Sequence, residues 1–348
     1  MATVRNGEKE MKTAVLTMGG LGNVALAYPF IHQLCRTSDD VTVFVMNAGV
    51  GAEQLLTMLP VKVSVMPKSK FEFMCEASKW RHEFDVTITP FPGRHWSYRI
   101  WELMLDAQRR IGFTFDTMSR HVLTYPLPAR RGISDKEQNM RLLEPFGAWA
   151  ESLMSEMNNK FRHRVWLAEN DIEADYVMSQ FRHAGKLVAI HPCSGPAHMQ
   201  RKKWPHFKRL IQRVTQEVTG ARILLIGAGS EYELLPYFHV APDNTYMLWG
   251  YDIKTVAACL ARCDVLICNE SGIAHIADLV GCPQAVIVGQ TDVDRLRPFH
   301  GGVVHLGLSC QPCFEYPWGR VGMRKDCDDR CVKDVTVQDV WNEAVKYW

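Results

Sequence analysis

The sequence lacks any strong excess of charge. Lys and Arg number 40 against 38 Asp and Glu, so the formal net charge at pH 7 is only +2. Proteins that bind nucleic acid through their general electrostatic field carry a marked excess of positive charge. Net charge therefore does not favour nucleic acid as a partner, and any basic binding face must be local.

Long apolar runs are also missing. No stretch approaches the roughly 18 apolar residues that a membrane-spanning helix needs, and the first ten residues, MATVRNGEKE, lack the apolar core of a secretion signal. Both absences lead us to expect a cytoplasmic protein.

Low-complexity tracts are absent too. With 47% hydrophobic and 22% charged residues, the composition excludes a disordered chain and a coiled coil.

The chain has the length and the alternating pattern of a two-domain α/β protein. Its 348 residues suffice for two separate cores. Alternating apolar and amphipathic segments predict two doubly wound parallel sheets covered by helices. We expect domains at residues 1–170 and 171–348, joined through a charged helical stretch near 132–186. The predicted strands are 12–18, 41–46, 61–66, 84–89, 187–191, 222–226, 264–268 and 284–288.

Polar and small residues follow the predicted strands of the second half. In the segment CNESGIAHIA, residues 268–277, a strand runs directly into a helix. Small residues at such a turn leave the first N–H groups of the helix open to phosphate oxygens. A simpler alternative is that Ser271 only caps its own helix. Together with HPCS at 191–194, KKWP at 202–205, IGAGSE at 226–231 and GQTD at 289–292, this segment suits a nucleoside diphosphate.

The order of these segments resembles glycosyltransferase family 9, the ADP-heptose heptosyltransferases, whose pattern is N-D-S-G-x-x-H-x-A-x-A-x-G-x-P. The likeness extends from Lys12 to Thr291. It implies the GT-B fold, two Rossmann-like domains facing a central cleft. It also implies that the N-terminal domain binds the acceptor and the C-terminal domain binds the nucleotide-sugar donor.

The resemblance assigns roles to individual residues. Lys202 would contact the donor phosphates, Glu231 the ribose and Tyr251 the adenine. His275 would lie near the same site, although a histidine bonded within the core is an equal alternative. The further positions that the resemblance assigns to donor binding are Gly20, Gly22, Ser194, Glu270, Ser271, Gly272 and Thr291.

Two positions depart from the family pattern. The family has Gly-Asp in the N-terminal loop, where the Asp is the expected base, and this chain has Gly22-Asn23. A carboxamide cannot accept a proton at ordinary pH. Asn23 is therefore an inactivating substitution, or another residue such as His95 or Asp116 serves as the base, or the protein binds without turnover. The second departure, Glu270 in place of Asp, bears on which donor sugar is accepted.

Four of the 11 cysteines cluster in residues 310–331, which we call the cysteine segment. Their spacing forms two close pairs, which four-thiolate zinc or iron sites require. We predict one structural metal ion there and none for catalysis, because four sulfurs leave no open position for substrate. Heptosyltransferases that modify autotransporter proteins resemble this chain in having a C-terminal cysteine quartet, which in them binds iron. The predicted ligands are Cys310, Cys313, Cys327 and Cys331.

The resemblance thus implies an inverting glycosyltransferase. It would transfer heptose or a related sugar from an ADP-sugar to a hydroxyl of a glycolipid or protein, as in lipopolysaccharide biosynthesis or protein glycosylation. Alternatives are a transferase acting on DNA or a small molecule, and a nucleotide-sugar binder without activity. A homo-oligomer and peripheral attachment to the inner membrane are left open.

Overall fold

The computed structural model describes residues 10–46, 51–147, 172–181, 185–193, 201–227, 234–319 and 327–348. The chain divides into two compact units, Met1–Met154 and Ser155–Trp348. The predicted boundary between residues 170 and 171 lies outside the described residues. None of the helices in the described ranges is both long and apolar enough to span a bilayer.

The first unit is built on a six-stranded parallel sheet with the order β3-β2-β1-β4-β5-β6. Its strands are β1 (Lys12–Met18), β2 (Asp40–Met46), β3 (Lys62–Met66), β4 (Val86–Thr89), β5 (Arg109–Thr114) and β6 (Tyr125–Pro128). Its helices are α1 (Leu21–Leu34), α2 (Ala52–Leu56), α3 (Lys70–Lys79), α4 (Trp96–Leu105), α5 (Thr117–Val122) and α6 (Asp135–Met140), which a 3-10 helix, Arg141–Phe146, follows.

The second unit has a six-stranded parallel sheet with the order β12-β11-β10-β7-β8-β9, the same winding as the first. Its strands are β7 (Lys186–His191), β8 (Ala221–Gly227), β9 (Thr245–Trp249), β10 (Val265–Asn269), β11 (Gln284–Ile287) and β12 (Gly301–Val304). Its helices are α7 (Ile172–Ser179), α8 (Phe207–Glu217), α9 (Leu235–Phe238), α10 (Ile253–Leu260), α11 (Gly272–Leu279), α12 (Val293–Leu296), α13 (Arg330–Lys333) and α14 (Val337–Ala344), with 3-10 turns at Pro242–Asn244 and Val345–Tyr347.

Both sheets have the Rossmann strand order, so the predicted fold class, two doubly wound α/β domains of the GT-B type, is confirmed. Each unit has its own core. In the first unit Phe44 packs edge-to-face on two tryptophans. Its ring centroid lies 5.3 Å from that of Trp80 and 4.6 Å from that of Trp101. In the second unit Trp204 is fully buried, and its indole N–H donates to the carbonyl of Val335 at 2.8 Å.

Four strands were not predicted: β5, β6, β9 and β12. Three of them, β6, β9 and β12, are sheet edges, where only one side of the strand is hydrogen-bonded and Pro or Gly is tolerated. Two prolines stand in β6 and two glycines in β12. The interior strand β5 begins with two arginines, and only its three residues Ile111, Gly112 and Phe113 are buried. Local sequence patterns of this kind do not indicate a strand.

Candidate functional site

The candidate donor site lies at the carboxyl edge of the second sheet. The strand order reverses between β7 and β10, and ligands of open α/β sheets bind outside the carboxyl ends of the strands at such a switch point. Lys202 follows β7, and Glu270 and Ser271 directly follow β10. Thr291 follows β11, so four predicted site residues come to this edge.

Asn269, the last residue of β10, holds this edge together. Its side chain is completely buried, and its Oδ1 accepts from the backbone N–H of Trp204 at 2.9 Å. Its Nδ2 donates to the carbonyls of Pro192 and Cys193 at 3.0 and 3.2 Å. One amide thereby fixes the chain after β7 and the chain just beyond Lys202 to the end of β10. We did not assign a role to Asn269 from the sequence, because nothing local distinguishes a buried positioning amide from a ligand-binding one.

Lys202, Glu270 and Thr291 form one bonded chain of side chains. The Lys202 ammonium donates to Glu270 Oε1 at 2.8 Å, and the Thr291 hydroxyl donates to Glu270 Oε2 at 2.6 Å. Exposure of the Lys202 and Glu270 side chains is 6% and 13%. Burial opposes ionisation of Glu270, but the Lys202 charge and both hydrogen bonds outweigh it and hold the pKa of the carboxyl below its usual range. The charged pair is therefore the resting state.

Helix α11 opens beside this chain without a side-chain cap. Ser271 occupies the N-cap position, yet its hydroxyl caps no helix N–H. Its Oγ is buried and has no hydrogen-bond partner among the described residues. Self-capping, the simpler alternative, is therefore not what the structure shows. The first N–H groups of α11 and an unpartnered hydroxyl are instead free to meet an oxyanion.

The other predicted donor contacts fall into two groups. His275 lies on α11, and its charge contributes to the lowered pKa of Glu270, so the two are close. Tyr251 follows β9 and shares a hydrogen bond of 3.1 Å between its hydroxyl and that of Tyr246. Ser194 and Glu231 lie outside the described residues.

The predicted residues of the N-terminal loop stand in the first unit, at the end of β1. Gly20 is the N-cap of α1, and Gly22 and Asn23 are in its first turn. A Cβ added at Gly20 would meet the Asn23 carboxamide nitrogen at 3.1 Å, so the side chain of Asn23 folds back over that glycine. The Asn23 carboxamide therefore lies at an open helix start.

Both candidates for a substitute base act as helix caps. The His95 side chain accepts from the N–H of Ser97 at the start of α4. Asp116 accepts from the N–H and the hydroxyl of Ser119, both at 2.8 Å. Although desolvation raises the pKa of Asp116, these bonds and the charges of Arg94 and Arg99 outweigh it and lower the pKa. Both bonds go to Oδ1, and a carboxylate with a lowered pKa is a weak base.

The described parts of the cysteine segment, residues 310–319 and 327–331, lie against the donor edge. One small cavity is lined by Cys313, Cys327, Cys331, Arg201, Lys202, Gln290, Asp329 and Val332. Burial first, and then the neighbouring thiols of Cys327, Cys313 and Cys310, raise the pKa of Cys331 to about 11. Four thiols in one neighbourhood are a donor set that zinc or iron prefers. Across the described ranges, however, no three His, Cys, Asp or Glu side chains are arranged to hold a metal ion, so the metal site stays a prediction.

Comparison with known proteins places these features in a family. The model of Glycosyltransferase family 9 (heptosyltransferase) matches residues 108–318, more than half of the chain. Lipooligosaccharide heptosyltransferase 2 of Campylobacter jejuni is 27% identical over 177 residues, which are 46% of this chain and 51% of that protein. The chain thus spans about half the length of the curated relatives it matches.

Solved structures share the fold over a greater length. E. coli ADP-heptose lps heptosyltransferase II has a TM-score of 0.66 at 17% identity, covering 96% of this chain and 97% of that one. TibC, described as a dodecameric iron-containing heptosyltransferase in complex with ADP-D-beta-D-heptose, has a TM-score of 0.55 at 14% identity, covering 99% and 82%. The family match over more than half of the sequence confirms the resemblance: the chain belongs to glycosyltransferase family 9, the heptosyltransferase family.

Proposed function

We propose that the protein transfers heptose, or a closely related sugar, from an ADP-sugar to an acceptor hydroxyl, with inversion at the anomeric carbon. The observation that carries this proposal is the Lys202–Glu270–Thr291 chain beside the uncapped start of α11. Family membership supports glycosyl transfer, and the relatives named above support ADP-heptose as donor. The acceptor is a glycolipid or a protein, bound by the first unit.

Departure of the nucleoside diphosphate from the donor sugar depends more on stabilisation of its negative charge than on its protonation. The leaving group is a nucleoside diphosphate, a weak base whose negative charge grows as the glycosidic bond breaks. Lys202 supplies a buried ammonium, and α11 supplies open N–H groups with the positive end of the helix dipole. The Ser271 hydroxyl can donate to a phosphate oxygen, which gives this buried atom the partner it lacks among the described residues.

The acceptor side needs a base, and here the chain departs from its family. Asn23 can orient a hydroxyl but cannot remove its proton. His95 and Asp116 both serve as helix caps. The lowered pKa of Asp116 also makes it a weak general base. We therefore propose that the chain binds the donor and that its turnover with Asn23 is low.

The cysteine segment supports a second, structural proposal. We propose that Cys310, Cys313, Cys327 and Cys331 hold one iron or zinc ion, the type of ligand set such ions prefer. TibC is described as iron-containing. The ion would fix the segment against the donor edge and take no part in transfer. Oligomeric state and a cytoplasmic location at the inner membrane stay predictions.

Donor binding is tested by thermal shift with ADP, UDP and GDP on the full chain. Ligand at 100 times its Kd adds about 2.7 kcal/mol of stability, and a unit of this size gains about 2–4 °C in Tm per kcal/mol. We expect the largest rise with ADP and none for Lys202→Met. The matched control is Lys203→Met, because the Lys203 ammonium faces the Tyr237 ring at 5.7 Å. Equal shifts in both variants, or none in the unaltered protein, would contradict the proposal.

A further inference from the structure

Arg201, the residue before Lys202, is anchored on the far part of the cysteine segment. Its guanidinium Nη2 lies 2.7 Å from Asp329 Oδ1, and the same group donates to the backbone carbonyl of Cys327. The Arg201 and Asp329 side chains are 31% and 16% exposed. Two bonds to one short stretch hold this arginine firmly, and they limit where the next residue, Lys202, can place its backbone.

The near part of the cysteine segment holds the opposite end of the site. The backbone carbonyl of Gln290 accepts from the N–H groups of Cys313 and Phe314, both at 3.0 Å. Thr291 pairs with Phe314 in a parallel β-bridge. The Gln311 side chain also donates to the carbonyl of Gly289. The position of the Thr291 hydroxyl is therefore set by residues 311–314.

These contacts hold the donor-phosphate site at two places. Lys202, Glu270 and Thr291 form one bonded chain, and the described parts of the cysteine segment contact its two ends through Arg201 and Gln290. Arg201, Lys202 and Gln290 line the same small cavity as three of the cysteines. A shift of either part of the segment would therefore change the distance between the Lys202 ammonium and the Thr291 hydroxyl.

We propose that Arg201 is a positioning residue and that its ion pair with Asp329 sets the place of Lys202 for donor diphosphate. This inference rests on the proposed function. According to this inference, the cysteine segment contributes to donor binding because it fixes the spacing of the side chains that contact phosphate. The inference also requires that Arg201 acts through Lys202 and does not bind phosphate itself.

Asp329 offers a clean substitution. Its backbone has φ of 62°, in the left-handed region, which Asn occupies as readily as Asp. Asp329→Asn therefore removes the charge without a new backbone cost. The control is Asp175→Asn, which breaks another arginine–aspartate pair: Asp175 pairs with Arg262 at 2.8 Å, and the two side chains are 60% and 32% exposed. Asp175 lies on α7, which contributes none of the proposed donor-site residues.

The experiment measures the Kd for ADP by isothermal titration calorimetry, with Tm of the unliganded protein recorded beside it. Asp329→Asn should weaken ADP binding about tenfold, within the coupling expected for neighbouring groups, and Asp175→Asn should leave it unchanged. Arg201→Lys keeps the charge but loses the guanidinium fork, so it should weaken binding as Asp329→Asn does. The double variant should be no weaker than Arg201→Lys alone, since both changes break the same link.

Other results would overturn the inference. Tighter ADP binding by Asp329→Asn would mean that Arg201, once released, contacts phosphate itself. An unchanged Kd with a lower Tm would mean that the ion pair only stabilises the fold. If Asp329→Asn does not fold, Arg201→Lys tests the same link. An unchanged Kd for ADP in Arg201→Lys would then contradict the inference. If the unaltered protein binds no ADP, the proposed function and this inference fail together; if it binds and the variants match it, only the inference fails.

Discussion

At the scale of single residues, we propose that Asn23 limits the turnover of the donor. It stands in the first turn of α1, and its carboxamide folds over Gly20. Asp is nearly the same size as Asn, so Asn23→Asp supplies a base without changing the shape of the loop. We expect the substitution to raise donor turnover by 10²-fold or more, the usual contribution of a positioned base.

The assay follows release of ADP from ADP-heptose with and without a glycolipid acceptor. Asn23→Ala serves as control, because it removes the side chain without adding a carboxylate. Full activity already present with Asn23 would contradict the proposal and point to a different base. Equal, low activity in both the Asp and the Ala variants would contradict it as well.

Glu270 makes stability depend on pH in a defined direction. Its folded pKa is depressed, so its stabilising contribution is present above the unfolded pKa of about 4.3 and is lost as pH falls through the lower folded pKa. Glu270→Gln removes that dependence and leaves Lys202 buried without its anion, which should cost about 3 kcal/mol at neutral pH.

Urea denaturation of both proteins between about pH 7 and pH 3 checks this prediction. The free energy of unfolding should fall less steeply below about pH 4.3 in the Gln variant than in the unaltered protein. Glu217→Gln, on a surface pair with Arg213, is the control and should follow the unaltered protein. If the free energy of unfolding falls equally steeply with pH in Glu270→Gln and in the unaltered protein, the proposed contribution of the Lys202–Glu270 pair is contradicted.

At the scale of elements, the ends of strands carry the proposed chemistry and the cysteine segment supports them. Residues 201 and 290 on either side of the donor edge bond to parts of that segment. Cys331 belongs to the buried core of the second unit, whereas Cys310 is exposed. Removing Cys310 should therefore remove the ion before it affects the sheet.

We expect about one iron or zinc ion per chain in the unaltered protein and its loss in Cys310→Ser, since a four-sulfur site needs all its ligands. Metal analysis by mass spectrometry provides the measurement. Cys75→Ser is the matched control, because Cys75 is exposed like Cys310 and lies outside the segment. Unchanged metal content in Cys310→Ser, or no metal in the unaltered protein, would contradict the prediction.

At the scale of the whole molecule, two units of identical strand order divide the proposed work. Lys202, Ser271 and Thr291, which we propose to bind the donor diphosphate, stand in the second unit. Asn23 stands in the first, together with Gly20 and Gly22, which the resemblance also assigns to donor binding. We therefore expect ADP to slow hydrogen exchange of backbone amides near residues 201–204 and 270–275, because bound phosphate protects the open N–H groups of α11.

Hydrogen-exchange mass spectrometry of the full chain, with and without ADP, gives the map. Peptides that contain β2 and β3, which hold none of the proposed donor-binding residues, serve as the internal reference. Protection confined to the first unit would contradict the assignment of donor binding to the second.

Sequence patterns alone predicted much of the fold because buried parallel strands are nearly continuous apolar runs. β1, β2, β7 and β10 are of this kind. The motif CNESG also placed Glu270, Ser271 and Gly272 correctly at the end of a strand and the start of a helix. Three of the four edge strands, β6, β9 and β12, were not predicted, since the pairing of an edge strand depends on a neighbour distant in sequence and not on its own composition; the fourth, β3, was predicted.

The sequence by itself determined the chemical inventory and the family: a lysine, an acid, a threonine and a helix start at successive strand ends, and four closely spaced cysteines. Only the tertiary structure decided which of them meet. It paired Lys202 with Glu270 across 68 positions of sequence and Arg201 with Asp329 across a still longer interval. Such pairs arise from the winding of the sheet and the path of the connecting loops, which local periodicity does not encode.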